Sequence, residues 1–274
     1  MAVLEEVPRD AGQVSEDAAR VYDEFFVPAL FGPFAPQVAE ATGAGPGNRA
    51  LDIACGTGVL ARAFRERVGP LGAVTGLDCN PGMLAVAREN APGIDWCDGC
   101  AEALCLDDSS FDAVGSQFGL MFFDNCRAAL REMARVLPPG GGLAVAVWDA
   151  AERSLGYAAI IDLIDRLFGS DAADRLRAPF ILGDTEALLA LAESAGLDGA
   201  RIEPWPGSAR FASLEAWVET DVRGWTLSEV IDDAGYARLL SAARKDLAGF
   251  VRSDGTVQFE SPALAIVWRK PGSG

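Results

Sequence analysis

Residues 49–64, RALDIACGTGVLARAF, restrict the folds open to this chain more than any other stretch. A run of apolar side chains meets an acid, Asp52, and then the small residues Ala54, Cys55, Gly56, Thr57 and Gly58; after them Leu60, Phe64 and Val68 recur at i, i+4 and i+8. This is the pattern of a buried strand, a tight turn and an amphipathic helix. The alternation continues. GAVTGLD predicts a second strand ending at Asp78, and Asn80 followed by Pro81 predicts the N-cap and first residue of a helix PGMLAVAREN. GIDWCDG and FDAVGSQFG predict a third and a fourth strand. NCRAALREMARVL places Leu130, Met133, Ala134 and Leu137 on one helical face before PPGGG stops it, and LAVAVWD is apolar throughout, as central parallel strands are. Strands alternating with helices predict a doubly wound α/β sheet.

On either side the pattern is looser. Residues 15–41 are rich in aromatics and interrupted by Pro28, Pro33 and Pro36, which predicts short helices. Beyond residue 150, AAIIDLIDRLF and TEALLALAESAG read as helices, the second stopped at Gly196. ARIEPW reads as a sixth strand, residues 212–253 as mostly helical with Trp217 and Trp225, and TVQFESPALAIVWR as a last strand or hairpin. The tail PGSG is expected to be disordered. No internal repeat or low-complexity tract interrupts the chain.

A glycine-rich turn between a parallel strand and a helix lets a ligand approach the backbone and the helix N-terminus. Gly56, Gly58 and Ala61 fit G-x-G-x-x-[GA], and Asp78 lies 20 residues after Gly58, where an acid can take ribose hydroxyls. This spacing points to a nucleoside; the alternative is a tight turn that binds nothing. Asp52 discriminates among nucleosides. A carboxylate there repels the pyrophosphate of NAD but suits the ammonium and sulfonium of S-adenosylmethionine. The bland reading of Asp52 is a carboxylate capping the turn's own N–H groups.

Composition excludes several other chemistries. With 40 acidic against 23 basic residues the formal charge is −17, so the long-range field repels nucleic acids and anionic membranes. No apolar run reaches the roughly 18 residues of a membrane span. The N-terminal stretch is acidic and lacks a hydrophobic signal core, which predicts a cytoplasmic protein. The chain has no histidine, which removes the commonest general base, the Ser/His and Cys/His nucleophile pairs and imidazole metal sites.

The segments LDIACGTGVLA, GLDCNPGMLAVAREN, GCAEALCLDDSSFDAVGSQFGLMFF and ALREMARVLPPGGGLAVAVW, in this order, resemble the class I S-adenosylmethionine-dependent methyltransferases, most of all the small-molecule branch of ubiquinone/menaquinone-biosynthesis type. The resemblance covers about residues 45–150. It implies a Rossmann-like doubly wound seven-stranded sheet with the last strand antiparallel, N-terminal helices, and a helical insertion before the last strand. Residues 1–274 would then be one methyltransferase domain: a helical cap over 1–44, a cofactor-binding core over 45–150, remaining core over 151–211, a helical lid over 212–253 and the last strand over 254–270. It further implies that Asp52, Ala54, Cys55, Gly56 and Gly58 line the methionine end of the cofactor, with Ala54 where the family often has glycine. Asp78 takes the ribose, Cys79 and Met83 pack near the adenosine, and Gln117 and Phe118 meet the methyl end. The loop GCAEAL resembles the family's G-D-A-E-x-L, but Cys100 replaces the acid, leaving more of the adenine contact to the backbone of Ala101.

The remaining expectations concern the acceptor. Tyr22, Phe26, Phe118, Met121, Trp148, Tyr157 and Trp217 are expected to wall an apolar or aromatic pocket. Methyl transfer needs the acceptor held about 3 Å from the methyl with water excluded; a base, if used, would come from Tyr22, Asp23, Glu24, Asp149 or Tyr157. Cys97, Cys100 and Cys105, with Cys55 and Cys79 on neighbouring loops, admit a thiolate metal or metalloid site, but the reading adopted is small apolar side chains in a reducing compartment, with no metal. The expected protein is a monomer or homodimer acting on a small molecule. Two alternatives are a protein of the same fold that binds the cofactor without methylating, as in a cyclisation or rearrangement, and an NAD(P)-dependent oxidoreductase.

Overall fold

The computed structural model describes residues 16–223 and 226–272. Trp225, the first 15 residues of the expected cap and the last two residues of the tail lie outside the described residues. In chain order the elements are α1 (Glu16–Val21), α2 (Ala35–Ala41), β1 (Arg49–Ile53), α3 (Val59–Val68), β2 (Ala73–Asp78), α4 (Pro81–Asn90), β3 (Asp95–Asp98), β4 (Ala113–Gln117), α5 (Cys126–Arg135) and β5 (Gly142–Trp148). They continue with α6 (Leu155–Phe168), α7 (Ser170–Arg177), α8 (Thr185–Ser194), β6 (Arg201–Trp205), β7 (Ser208–Phe211), α9 (Leu214–Arg223), α10 (Asp233–Asp246), β8 (Val257–Glu260) and β9 (Ala263–Arg269).

The main sheet has seven strands in the order β3-β2-β1-β4-β5-β9-β6. Its parallel pairings run from β3 to β5, and β9 is antiparallel to both its neighbours. The strand order reverses between β1 and β4, so the crevice outside their carboxyl ends is where an open α/β sheet receives a ligand. β5 is buried along its whole length, which explains its unbroken apolar sequence. The helices form where their caps say they should. Asn80 Oδ1 accepts the N–H groups of Gly82 and Met83 at 2.9 and 3.1 Å, opening α4 at Pro81. The Lys270 ammonium donates to the Ala134 and Leu137 carbonyls at the end of α5.

Two expectations are corrected. Pro28 does not break the N-terminal segment into separate short helices: Tyr22–Phe31 is one widened helical run of π type continuing α1, closed by Gly32 N–H to the Val27 carbonyl. The wider turn accommodates the ring and missing N–H of Pro28. Pro33 and Pro36 stand in the opening turns of the short helices that follow, positions that need no N–H donor. Second, residues 254–270 hold two strands in different sheets. β8 pairs antiparallel with β7 in a separate two-stranded ribbon, and only β9 joins the main sheet. Between them Pro262 has no N–H to continue a ladder, although its carbonyl accepts the Asp149 N–H at 3.1 Å.

Candidate active site

The turn after β1 is held by its own glycine chemistry. Gly58 has φ +85°, and a Cβ there would overlap the Trp96 ring, as would one on Gly76 in β2. Trp96 is therefore seated between two glycines, anchored by its indole N–H to the Ala91 carbonyl at 3.0 Å. Ala54 also adopts a left-handed conformation, φ +56°, which costs a residue with a Cβ about 1 kcal/mol. That is the physical reason for a glycine preference at this position. Phe118, at the end of β4, is strained in the same way at φ +55°.

Asp78 locks the second strand to the turn: its Oδ2 accepts the Gly56 N–H and its Oδ1 the Asn80 N–H, both at 2.8 Å. Burial pushes this carboxyl up, and those backbone donors oppose the rise. Asp52 is 1 % exposed, and neither carboxylate oxygen has a hydrogen-bond partner. The Ala61 N–H, in the first turn of α3, lies near enough to oppose the rise in the Asp52 pKa, so the carboxyl's one contact is a loose one with the helix that follows the turn. Burial drives its pKa well above the usual carboxylate range. Thr57 Oγ1, Ser116 Oγ and Gln117 Oε1 are likewise buried without partners, so the carboxyl ends of β1 and β4 gather unsatisfied polar atoms. Such atoms cost free energy unless something bonds them.

The N-terminal run covers this turn. Tyr22 Cε1 lies 3.9 Å from the point where a Gly56 side chain would begin. Its ring stacks on Phe26 and Phe31, at centroid distances of 5.7 and 5.2 Å. Gln117 Nε2 donates to the Phe31 carbonyl at 2.9 Å, tying the cover to β4. Arg20 pairs with Glu89 and Asn90 donates to Asp23, tying it to α4. Cys55 is buried, with its thiol pushed up by burial; Ala101 is buried, Met83 is half-buried, and Cys79 and Cys100 are exposed at the rim.

The aromatic side chains expected at the acceptor site contact one another in a ladder. Phe118 stacks face to face on Trp148, centroids 3.8 Å apart, and Phe31 and Phe34 close on both. Trp148 leads to Phe180 at 6.4 Å, Phe180 to Tyr157 at 5.1 Å, Tyr157 to Phe259 at 5.4 Å and Phe259 to Trp217 at 4.6 Å. Tyr22, Phe26, Phe118 and Trp148 are thus gathered near the turn, whereas Tyr157 and Trp217 lie at the far end. Met121 is buried in the short helical turn after β4. Among the base candidates, burial pushes the Tyr22 and Tyr157 hydroxyls up, away from the range in which a phenol takes a proton at neutral pH. Asp149 is held by the Ala150 N–H and by Arg153.

Sequence reasoning missed Asp221, Phe180 and Phe259. Asp221 had a legible signal: Leu214, Trp217, Val218, Asp221 and Val222 fall at i, i+3, i+4, i+7 and i+8, so the acid stands on the apolar stripe of its helix.

This strand order and its glycine turn are shared with the Rossmann-like fold of solved methyltransferases. The chain matches the family model for a methyltransferase domain over residues 50–141. It is similar to the demethylmenaquinone methyltransferase of Renibacterium salmoninarum, 38 % identical over 148 residues, 53 % of this chain and 61 % of that protein. It is also similar to a ubiquinone/menaquinone biosynthesis C-methyltransferase of Ectopseudomonas mendocina, 45 % identical over 112 residues, 39 % of this chain and 44 % of that one. The matched stretch thus spans less than two thirds of these curated relatives. Among solved structures, the Bacillus YcgJ protein aligns over 87 % of this chain and 98 % of its own at 19 % identity and a TM-score of 0.59. Haemonchus contortus phosphoethanolamine N-methyltransferase 2 aligns over 96 % and 59 % at 19 % identity and 0.61. Both likenesses are of fold.

Proposed function

We propose that the protein transfers a methyl group from S-adenosylmethionine to a small apolar or aromatic metabolite, releasing S-adenosylhomocysteine. The observation that carries this reading is Asp52, a buried carboxyl beside the glycine turn with no side-chain partner and only a loose contact with the Ala61 N–H. A cationic donor fits it and a pyrophosphate does not. When bound, the cofactor supplies the activated methyl. Ala54, Cys55, Gly56 and Gly58 shape the methionine end, Asp78 serves the ribose, and Cys79, Met83, Cys100 and Ala101 border the adenosine. Gln117 and Phe118 face the methyl end. Tyr22 and Phe26 on one side and Phe118, Met121 and Trp148 on the other hold the acceptor and exclude water, with Tyr157 and Trp217 beyond them. The names of the curated relatives favour a quinone-like ring as acceptor. The negative charge opposes nucleic acid and anionic membrane partners, and we place the protein in the cytoplasm as a monomer or homodimer. The domain plan is a cap over 1–44, cofactor core over 45–150, further core to 211, lid over 212–253 and closing strands to 270.

Calorimetric titration with S-adenosylmethionine tests this. Micromolar binding is expected, weakened at least tenfold in Asp78→Ala, with none for NADH. A folded sample that binds NADH, or that does not bind S-adenosylmethionine, refutes the reading. S-adenosylhomocysteine release on adding reduced naphthoquinones then identifies acceptors.

A further inference from the structure

The aromatic ladder ends on a polar group that the donor end does not use. Asp221, on α9, is 1 % exposed, and both its carboxylate oxygens lack a hydrogen-bond partner. One helical turn earlier the indole N–H of Trp217 is also buried and makes no hydrogen bond at normal distance, yet it lies near enough to Asp221 to oppose the rise in that carboxyl's pKa, so the two meet only loosely and neither has another polar partner. Tyr157, on α6, stands close enough for the Asp221 charge to reinforce the rise that burial gives its hydroxyl. Apolar rings surround the three: Phe211, Phe250 and Phe259 pack on Trp217, and Phe259 on Tyr157. A packed core does not retain an unpaired carboxyl for stability, because an apolar residue of similar size avoids the cost.

We propose that Asp221, Trp217 and Tyr157 form a distal recognition point that binds an oxygen atom, hydroxyl or carbonyl, of an elongated planar acceptor whose reacting end lies at Phe118. This rests on the methyltransferase reading above and narrows its substrate class. Burial lifts the Asp221 pKa to about 8, so at neutral pH its carboxyl is mostly protonated. The cluster then offers the carboxyl O–H and the phenol O–H as donors, while the indole N–H lies beside the carboxyl's remaining oxygen. An oxygen with lone pairs satisfies that set; an ammonium, which needs acceptors, does not. The intervening rings Trp148 and Phe180 give a planar ligand faces to lie against. Those rings now touch one another, so an acceptor must part them as it enters.

The test compares 1-naphthol, naphthalene and 1-naphthylmethylamine by fluorescence titration of the full chain, without cofactor and with S-adenosylhomocysteine. Wild type is expected to bind the naphthol at least tenfold more tightly than naphthalene and more tightly than the amine. Asp221→Leu is expected to erase the naphthol preference and to unfold at a higher temperature. Asp221→Asn, which keeps one donor and one acceptor, is expected to retain part of the preference, and it carries the test if the leucine variant does not fold. Equal binding of naphthol and naphthalene by wild type, an amine that binds best, or an undiminished preference in both variants overturns the proposal. The preference is read without the donor, so failure of S-adenosylmethionine to bind is a separate result that counts against the methyl-transfer reading alone.

Discussion

At the scale of single residues, this protein keeps unfavourable features where its ligand sites are proposed. Ala54 and Phe118 are left-handed, and both border the carboxyl ends of the central strands. Ala54→Gly removes the Cβ conflict but frees the unfolded chain, so a net gain of about 0.5 kcal/mol is expected; urea denaturation would read it as a higher midpoint with an unchanged slope. The buried acids set the pH dependence. Asp52, Asp78 and Asp221 all have folded pKa values raised by burial, Asp221 from 3.8 to about 8. The folded state therefore holds protons that the unfolded state has released, and stability falls as pH rises from about 4 to about 8. The slope is at most about 1.4 kcal/mol per pH unit for each group. Thermal melts of Asp221→Asn between those limits are expected to show a shallower fall than wild type; parallel curves would mean that Asp221 titrates normally. Asp52 was legible in the sequence because a motif frames it. Asp221 shows in the sequence only as an acid on an apolar helical stripe, and its meaning comes from rings supplied by distant strands and helices.

At the scale of elements, the donor end of the fold was readable because each piece carries a local signal. Asn80 caps α4, PPGGG ends α5, and the turn glycines separate β1 from α3. What local pattern could not supply was the reason for Gly58 and Gly76, which is a single tryptophan from β3 lying across both. Gly58→Ala combines a left-handed φ with overlap on Trp96, and a loss of about 2–4 kcal/mol is expected by denaturant unfolding. The paired variant Gly58→Ala/Trp96→Leu should recover part of that loss, since the overlap is then relieved. The cover over the turn was misread for a different reason. Pro28 is a strong breaker in an α-helix, and only the packing of Phe26, Ala29, Leu30 and Phe31 against the core favours a widened turn over a break. The hairpin alternatives at the C-terminus were equally local, and it was Pro262 and the partner strand β7 that decided between them.

At the scale of the whole molecule, 40 acids against 23 bases make self-repulsion a general cost of compactness. Screening should relieve it. Raising sodium chloride to about 0.2 M is expected to increase the melting temperature by a few degrees; a decrease would mean that surface pairs such as Arg20–Glu89 and Arg135–Asp108 outweigh the net repulsion. Residues 212–256 leave the body of the protein from β7 and return to it at β8, and those two strands are paired at the point of departure, Phe211 opposite Val257. The excursion that holds Trp217 and Asp221 thus begins and ends at one strand pair and rests on α6 and α7, where Arg166 pairs with Asp246 and Arg175 with Glu229, while β1, β2 and β4, which shape the turn, lie elsewhere in the chain. Such a part can be lengthened, shortened or replaced by a foreign segment with matching ends, so a lineage could try new acceptors as one changes the bit on a drill, leaving the chuck untouched.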